Sequence, residues 1–335
     1  MTQPKRPNIV LIMADDMGFS DIQPYGGEIR TPNLNAMAGE GLSFSQMYNN
    51  AKCCPSRASL MTGLYPHQAG IGYMTDPLGV PSYQGYLNKT SVTVAEVLKD
   101  SGYATYMSGK WHVGGGYALR KSEGWTPGDE THPTPTQRGF DKFYGTLTGA
   151  GNYFNPQTLM SGDSFIEVET DEYHYTDAIS DEAARMVREA SNDDKPFFLY
   201  VAYTAPHWPL HAYEEDIAHY RGKYMDGWDP MRTARHEELK SRGILDEKSD
   251  ISPRDESSYP WEDEKEKEWE DLRMAVYAAQ IEQMDRGIGR VLDALKETGV
   301  EDDTLVMFLS DNGACEVFLA EDSRVPTPAL FGGET

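Results

Sequence analysis

Four short apolar runs, separated by helical patterns, constrain the fold of this 335-residue chain more than any other feature. They are Asn8 to Ala14 (NIVLIMA), Tyr103 to Ser108, Pro196 to Tyr203 (PFFLYVAY) and Thr304 to Leu309 (TLVMFL). A strand that is apolar on both faces suits the centre of a parallel sheet better than a half-solvated hairpin. Helical periodicities lie between the runs. Ser91 to Asp100 places Val94, Val97 and Leu98 on one face, with Thr93 as cap and Gly102 as stop. Thr176 to Ala190 is also helical. Trp269 to Glu297 is the longest pattern: Met274, Tyr277, Ile281, Met284, Ile288, Val291 and Leu295 recur every three or four residues before Gly299. Shorter helices are expected at Asn33 to Gly41 and at Ser56 to Thr62, the latter opened by Pro55 and closed by Gly63. Ser43 to Asn49 reads as a further strand, Gly114 to Asn155 as long loops, and His211 to Glu264 as a polar surface insertion with one or two short helices. Strands alternating with helices predict an α/β fold: a large, mostly parallel central sheet with helices on both faces.

In such a sheet, ligands bind beyond the carboxyl ends of the strands. Each apolar run is followed there by polar residues: Asp15 and Asp16 after the first, Lys110 and His112 after the second, His207 after the third, Asp311 and Asn312 after the last. Asp15, Asp16, Asp311 and Asn312 are hard oxygen ligands of the kind that hold Ca²⁺ or Mg²⁺. Asp-Asp and Asp-Asn-Gly are also ordinary turn sequences, and only the shared strand-end position favours the metal reading. Lys110 and His112 are two apart, so an extended segment would turn both to one face, a point charge beside an acid or base. His207 lies between Pro206 and Trp208-Pro209, on a stiff backbone.

Cys53-Cys54-Pro55-Ser56-Arg57 places a thiol near a helix start with an arginine close by. The helix dipole and the guanidinium both favour a thiolate or another anion there. A nucleophile beside an anion site and a pair of small buried cysteines both fit this segment. Three cysteines, two of them adjacent, do not make a disulfide framework. The balance of 54 acidic against 30 basic residues, a net charge of −24, argues against a nucleic-acid partner. No run approaches the length of a membrane span. Met1 to Asp16 has the basic start of a secretory signal, but its apolar run is short and ends on two aspartates, so it reads as a strand.

At this point the chain resembles the sulfatase family. Cys53-x-Pro55-Ser56-Arg57, continuing Ala58-Ser59-Leu60-Met61-Thr62-Gly63, is similar to the sulfatase signature. PNIVLIMADDMGFSD at the start, GKWHVG at Gly109 to Gly114, APHWPL at Ala205 to Leu210 and SDNGA at Ser310 to Ala314 follow the family's blocks in order. The likeness covers essentially the whole chain and is closest to the bacterial arylsulfatases, of the alkaline-phosphatase-like superfamily. It implies one sulfatase catalytic domain over residues 1–335, with 211–264 as an insertion and the usual C-terminal subdomain absent. It also implies that Cys53 is oxidised to formylglycine by a separate formylglycine-generating enzyme, which reads the positions of Cys53, Pro55 and Arg57. Cys54 falls at the variable position and is given no role.

The resemblance further implies that Asp15, Asp16, Asp311, Asn312 and the modified Cys53 bind Ca²⁺, with Mg²⁺ as the other candidate. The hydrated aldehyde would attack sulfur, release the alcohol, and then eliminate sulfate. Asp311 would take the nucleophile's proton, Arg57 would stabilise the formylglycine, Lys110 would hold the sulfate, His112 would assist elimination, and His207 would protonate or orient the leaving group. The expected partner is a small-molecule or carbohydrate sulfate ester, with no nucleic acid and no membrane. The compartment, cytoplasmic or exported, stays open. One departure is visible: the family carries a second sulfate-binding lysine after the Asp-Asn-Gly block, whereas the last lysine here is Lys296. Phosphonate monoester hydrolases and phosphodiesterases share the same signature. They form one alternative, and a catalytically impaired chain that only binds its ligand forms another.

Overall fold

The computed structural model describes residues 6–116, 126–256, 258 and 260–315. Residues 117–125, part of the segment expected to form loops, and residues 316–335, including Arg324, lie outside that set. The chain divides into two compact units. One comprises Met1–Met17, Tyr48–Pro209 and Gly289–Thr335; the other comprises Gly18–Met47 and Leu210–Ile288.

The first unit is built on a seven-stranded sheet. Its strands are β1 (Asn8–Ala14), β2 (Ala104–Gly109), β3 (Lys142–Thr146), β4 (Leu159–Ser161), β5 (Ser164–Phe165), β6 (Phe197–Ala202) and β7 (Thr304–Ser310). Their order is β5-β4-β3-β2-β6-β1-β7. From β3 through β7 all pairings are parallel, while β4 and β5 add an antiparallel margin. The four apolar runs of the sequence are thus the four contiguous strands β2-β6-β1-β7, and every residue of β2 and β6 is buried. Successive side chains along a strand face opposite ways. On the Met107 side, Leu11, Met13, Phe198 and Tyr200 pack with Cys54, Ala58, Met61 and Ala95. On the Ser108 side, Ser108 Oγ donates to the Ile179 carbonyl at 2.8 Å.

The helices, in chain order, are α1 (Pro32–Glu40), α2 (Cys53–Thr62), α3 (Pro66–Ala69), α4 (Val94–Asp100), α5 (Tyr175–Ala190), α6 (Glu214–Ala218), α7 (Trp228–Ser241) and α8 (Lys267–Glu297). Thr93 caps α4 as expected. Its Oγ1 accepts from Glu96 N at 3.1 Å, and Glu96 accepts from Thr93 N at 2.7 Å, a reciprocal box worth about 1 kcal/mol.

The structure differs from the sequence expectations at four places. Ser43 to Asn49 forms no strand; with no ladder to join, Phe44 and Tyr48 stay exposed. β7 is not a buried strand but the sheet edge among the described residues, with Leu305 and Met307 half exposed. An apolar run reports composition, not how many neighbours the strand will have. β3 arises inside the segment read as loops. Finally, α2 begins at Cys53 rather than after Pro55, and its first i→i−4 bond is Ser56 N to Lys52 O at 3.0 Å. The first turn of a helix has no internal use for its N–H groups, so proline is tolerated at the third position as well as the first.

In the second unit α1 lacks a side-chain cap of its own. Asp285, from α8, supplies one: its carboxylate accepts from Leu34 N at 2.8 Å and from Asn33 N at 3.0 Å. A negative charge at a helix N-terminus also meets the favourable end of the dipole. Arg235 joins Asp21 and Glu28, and Tyr277 donates to Asp21 at 2.6 Å. No helix among the described residues is long and apolar enough to cross a membrane.

Candidate active site

All nine residues singled out from the sequence belong to the first unit, all are buried, and contacts link them into one cluster. Because the sheet is parallel, β1, β2, β6 and β7 end on the same side, and the residues that follow them converge. Lys110 Nζ donates to Asp15 Oδ2. Arg57 Nε donates to Asp311 Oδ2 at 3.0 Å, and its Nη2 lies 2.8 Å from that oxygen and 3.4 Å from Asp15 Oδ1. Asp16 N donates to Asp311 Oδ1 at 3.2 Å, and Asn312 Nδ2 donates to Asp16 Oδ1 at 2.5 Å. His207 Nε2 stands 3.5 Å from Asp16 Oδ2.

Cys53 is the first residue of α2, and Arg57 is one turn on, so both lie on one helix face. The Cys53 thiol is held well below its ordinary pKa. A hydrogen bond from Cys54 is the main cause; burial opposes it, and His112 and Lys110 assist. Cys54 moves the other way, raised by burial and by that same bond. Cys54 therefore stays a thiol and donates, which gives the variable position of the motif an electrostatic consequence. Burial works most strongly against charge on Lys110 and Arg57, yet both pKa values are raised, because the surrounding anionic groups, Asp15, Asp311 and Cys53 among them, together outweigh it. The two carboxyls bear the opposite strain. Burial pushes Asp15 up to about 6, against the pull of Lys110 and Arg57. Burial and the neighbouring Asp15 push Asp311 up to about 8.

Lys110 and His112 reach the site, but not on an extended segment. His112 has φ +53° and Gly109 φ +119°. Asp16, at φ +59°, is likewise left-handed. Two non-glycine residues in that sparsely populated region, both in one cluster, are held there by their surroundings. His112 is also boxed in: a Cβ on Gly149 would fall 2.1 Å from its Cε1. His207 follows a cis Ala205–Pro206 bond, and Trp208–Pro209 is cis as well. Its carbonyl accepts from Tyr153 Oη at 2.8 Å. Cys54, Gly149 and Tyr153 were not picked out from the sequence. Cys54 and Tyr153 lie in no strand-end position, and Gly149 follows β3, which arises inside the segment read as loops; only their contacts mark them.

The cluster has the features of a cation site. Among the described residues, Asp15 Oδ1 and Asn312 Oδ1 are buried and make no hydrogen bond. Three carboxylates share the space, two of them with raised pKa values. His207 Nδ1 lies 2.5 Å from the Trp208 carbonyl, which can only accept, so Nδ1 carries the proton. Nε2 then turns a lone pair toward Asp16, an arrangement that a cation or a second proton relieves. Asp15, Asp16 and His207 each place a ligand atom within 4.8 Å of the others. Hard oxygen donors in this number fit Ca²⁺ or Mg²⁺.

A parallel α/β sheet with its charged residues gathered at the carboxyl edge, and an anion-favouring helix start beside them, defines an alkaline-phosphatase-like architecture. Residues 7–316 match the family model described as Sulfatase, and the chain belongs to that family. It is 36% identical to an uncharacterized sulfatase of Schizosaccharomyces pombe over 92% of this chain and 58% of that protein. It is also 36% identical to an arylsulfatase of Klebsiella aerogenes, over 93% of this chain and 67% of the relative. Among solved structures, Ps i-CgsB in complex with k-i-k-neocarrahexaose superposes with a TM-score of 0.67 at 31% identity, covering 92% of this chain and 59% of that one. The chain thus spans about three fifths to two thirds of the length of these proteins.

Proposed function

We propose that this chain hydrolyses sulfate esters at the cluster headed by Cys53, taking a small-molecule or carbohydrate sulfate ester and releasing sulfate and an alcohol or phenol. The observation that carries the reading is the position of Cys53: first residue of α2, one turn from Arg57, hydrogen-bonded by Cys54 and His112, in one buried cluster with Lys110 and three carboxylates. Asp15, Asp16, Asp311 and Asn312 would hold a divalent cation, Ca²⁺ by preference, which supplies positive charge to the ester oxygens and acidifies a nucleophile. Oxidation of Cys53 to formylglycine, by a formylglycine-generating enzyme, supplies an oxygen nucleophile together with a route of release that needs no attack of water on sulfur.

The remaining work falls to side chains. Arg57 and Lys110 keep their charges in a water-poor site and meet the charge of the sulfate group. Arg57 also fixes Asp311 through two of its nitrogens. Burial lowers the pKa of His112 and favours its neutral form, which in the tautomer that leaves the nitrogen facing Cys53 unprotonated can take a proton from that position. His207 is lowered by burial and by Lys110, partly offset by Asp16. It holds its proton at Nδ1 against the Trp208 carbonyl and presents Nε2 to the leaving oxygen. Members named arylsulfatase and N-acetylgalactosamine-6-sulfatase among the relatives support the reaction class.

The test is protein co-expressed with a formylglycine-generating enzyme. The peptide containing Cys53 should lose mass by the difference between a thiol and an aldehyde. An aryl sulfate should turn over faster than the matched aryl phosphonate ester, and Cys53→Ala should lose at least about a thousandfold in rate. An intact thiol in correctly processed protein, or a preference for the phosphonate, overturns the assignment.

A further inference from the structure

The second unit contains a cavity of about 220 Å³ that shares no residue with the cysteine-headed cluster. Tyr224, Trp228, Met231 and Trp261 form its apolar walls, and Arg232 and Glu270 contribute polar lining. The two indoles meet edge to face, 4.8 Å apart at 82°, so they present perpendicular walls. Trp261 is pinned in place. Its Nε1 donates to the Met225 carbonyl at 2.8 Å, and its ring lies so close over Gly227 that a Cβ there would fall 2.3 Å from Cγ. Gly227 has φ +86°, which further favours glycine. Aromatic surface that is already immobilised binds a ring at little entropic cost.

The charges around the cavity are unevenly spent. Both oxygens of Glu270 accept from Arg273 Nη1, at 2.8 and 2.9 Å. Arg235, also in the lining, is committed to Asp21 and Glu28. Arg232 uses Nη2 on Ser252, and its ion-pair partner Asp229 is 3.9 Å away and bonded to Arg254. Among the described residues, Nε and Nη1 of Arg232 make no hydrogen bond. A hydrocarbon ring would cover Nε and Nη1 of Arg232 without satisfying them, at the expense of their hydration. A cationic ring would meet two arginines. A ring with an apolar face, hydroxyls at its margin and an anionic substituent would meet indole, donors, acceptors and an unspent guanidinium in turn.

We propose that this cavity binds a sugar residue carrying an anionic group such as sulfate, independently of any reaction at Cys53. The test is calorimetric titration at constant ionic strength with glucose 6-sulfate, with glucose, inorganic sulfate and benzenesulfonate as separate probes. Glucose 6-sulfate should saturate the protein and bind about tenfold tighter than glucose. Arg232→Met should erase that difference, and Trp228→Ala should weaken both sugars by about tenfold or more. Both variants should keep the thermal midpoint and the aryl sulfate turnover of the parent; if Trp228→Ala does not fold, Arg232→Met with Trp228→Phe decides. The proposal is overturned by the absence of saturable heat, by titrations unchanged in Arg232→Met and the Trp228 variant, or by benzenesulfonate binding as tightly as the sulfated sugar. A chain that binds glucose 6-sulfate in this way but hydrolyses nothing would refute the assigned reaction and leave the cavity standing.

Discussion

Stripped of divalent cations, Cys53→Ala protein should lose stability between about pH 6.5 and about pH 8, and Asp311 should be the reason. Its carboxyl, 3.8 in an ordinary setting, is pushed up to about 8, chiefly by burial and then by Asp15. Between those values the folded state keeps a proton that the unfolded chain has released. Folding stability is therefore full at low pH and is lost as pH rises through the folded value. The window is chosen to isolate this group. Asp15, raised to about 6, has mostly titrated below it. His112 and His207, both lowered mainly by burial, act only near its lower end and in the opposite sense, because there the unfolded chain still holds part of their protons. Cys53 itself would tilt the curve the other way, since a lowered thiol pKa adds stability as pH rises, and alanine removes that effect. About 1.5 pH units at about 1.4 kcal/mol each comes to roughly 2 kcal/mol. For a chain of 335 residues that is a fall of roughly 3 °C in the thermal midpoint. Scanning calorimetry in EDTA and in Ca²⁺ reads both halves of the reasoning. The chelated protein should melt lower at the higher pH, Ca²⁺ should restore more stability there than at the lower pH, and Asp311→Asn should flatten the slope. A chelated protein equally stable at both values, or a Ca²⁺ gain independent of pH, refutes the idea that an uncompensated carboxyl sits at this site.

Two other perturbations test the surroundings of the cluster, and a third tests the second unit. Gly149→Ala puts a methyl 2.1 Å from His112 Cε1; steady-state kinetics should show kcat/KM down by about a hundredfold, with about 1–3 kcal/mol of stability lost in denaturant melts. Tyr153→Phe removes the hydrogen bond to the His207 carbonyl; the expected loss is about 1 kcal/mol in chemical denaturation, with turnover falling less than tenfold. Asp285→Ala takes away the carboxylate that closes the start of α1; about 2 kcal/mol should be lost, with turnover unchanged for the folded protein, and Asp285→Asn should recover part of the stability.

The sequence by itself determined which segments are strands and helices where the pattern is local. Ile9 to Ala14 has no polar position to turn toward water, Thr93 and Glu96 carry their capping partners three residues apart, and α8 repeats its apolar residues every three or four positions for most of its length. It also determined the chemistry available at four strand ends, because polar residues directly after an apolar run have nowhere to go but the sheet's carboxyl edge. Tertiary structure decided what pattern cannot carry. It made β2-β6-β1-β7 adjacent, left β7 at the edge among the described residues, moved the start of α2 back to Cys53, and denied Ser43 to Asn49 a strand. It set the thiol of Cys54 against Cys53, the backbone of Gly149 against His112, and Tyr153 beneath His207. Side-chain periodicity is written within about ten residues, whereas strand order, close approach and the pKa of a buried group depend on neighbours that arrive from far along the chain. The lowered thiol and the raised carboxyls, on which the proposed chemistry rests, exist only once those neighbours have met.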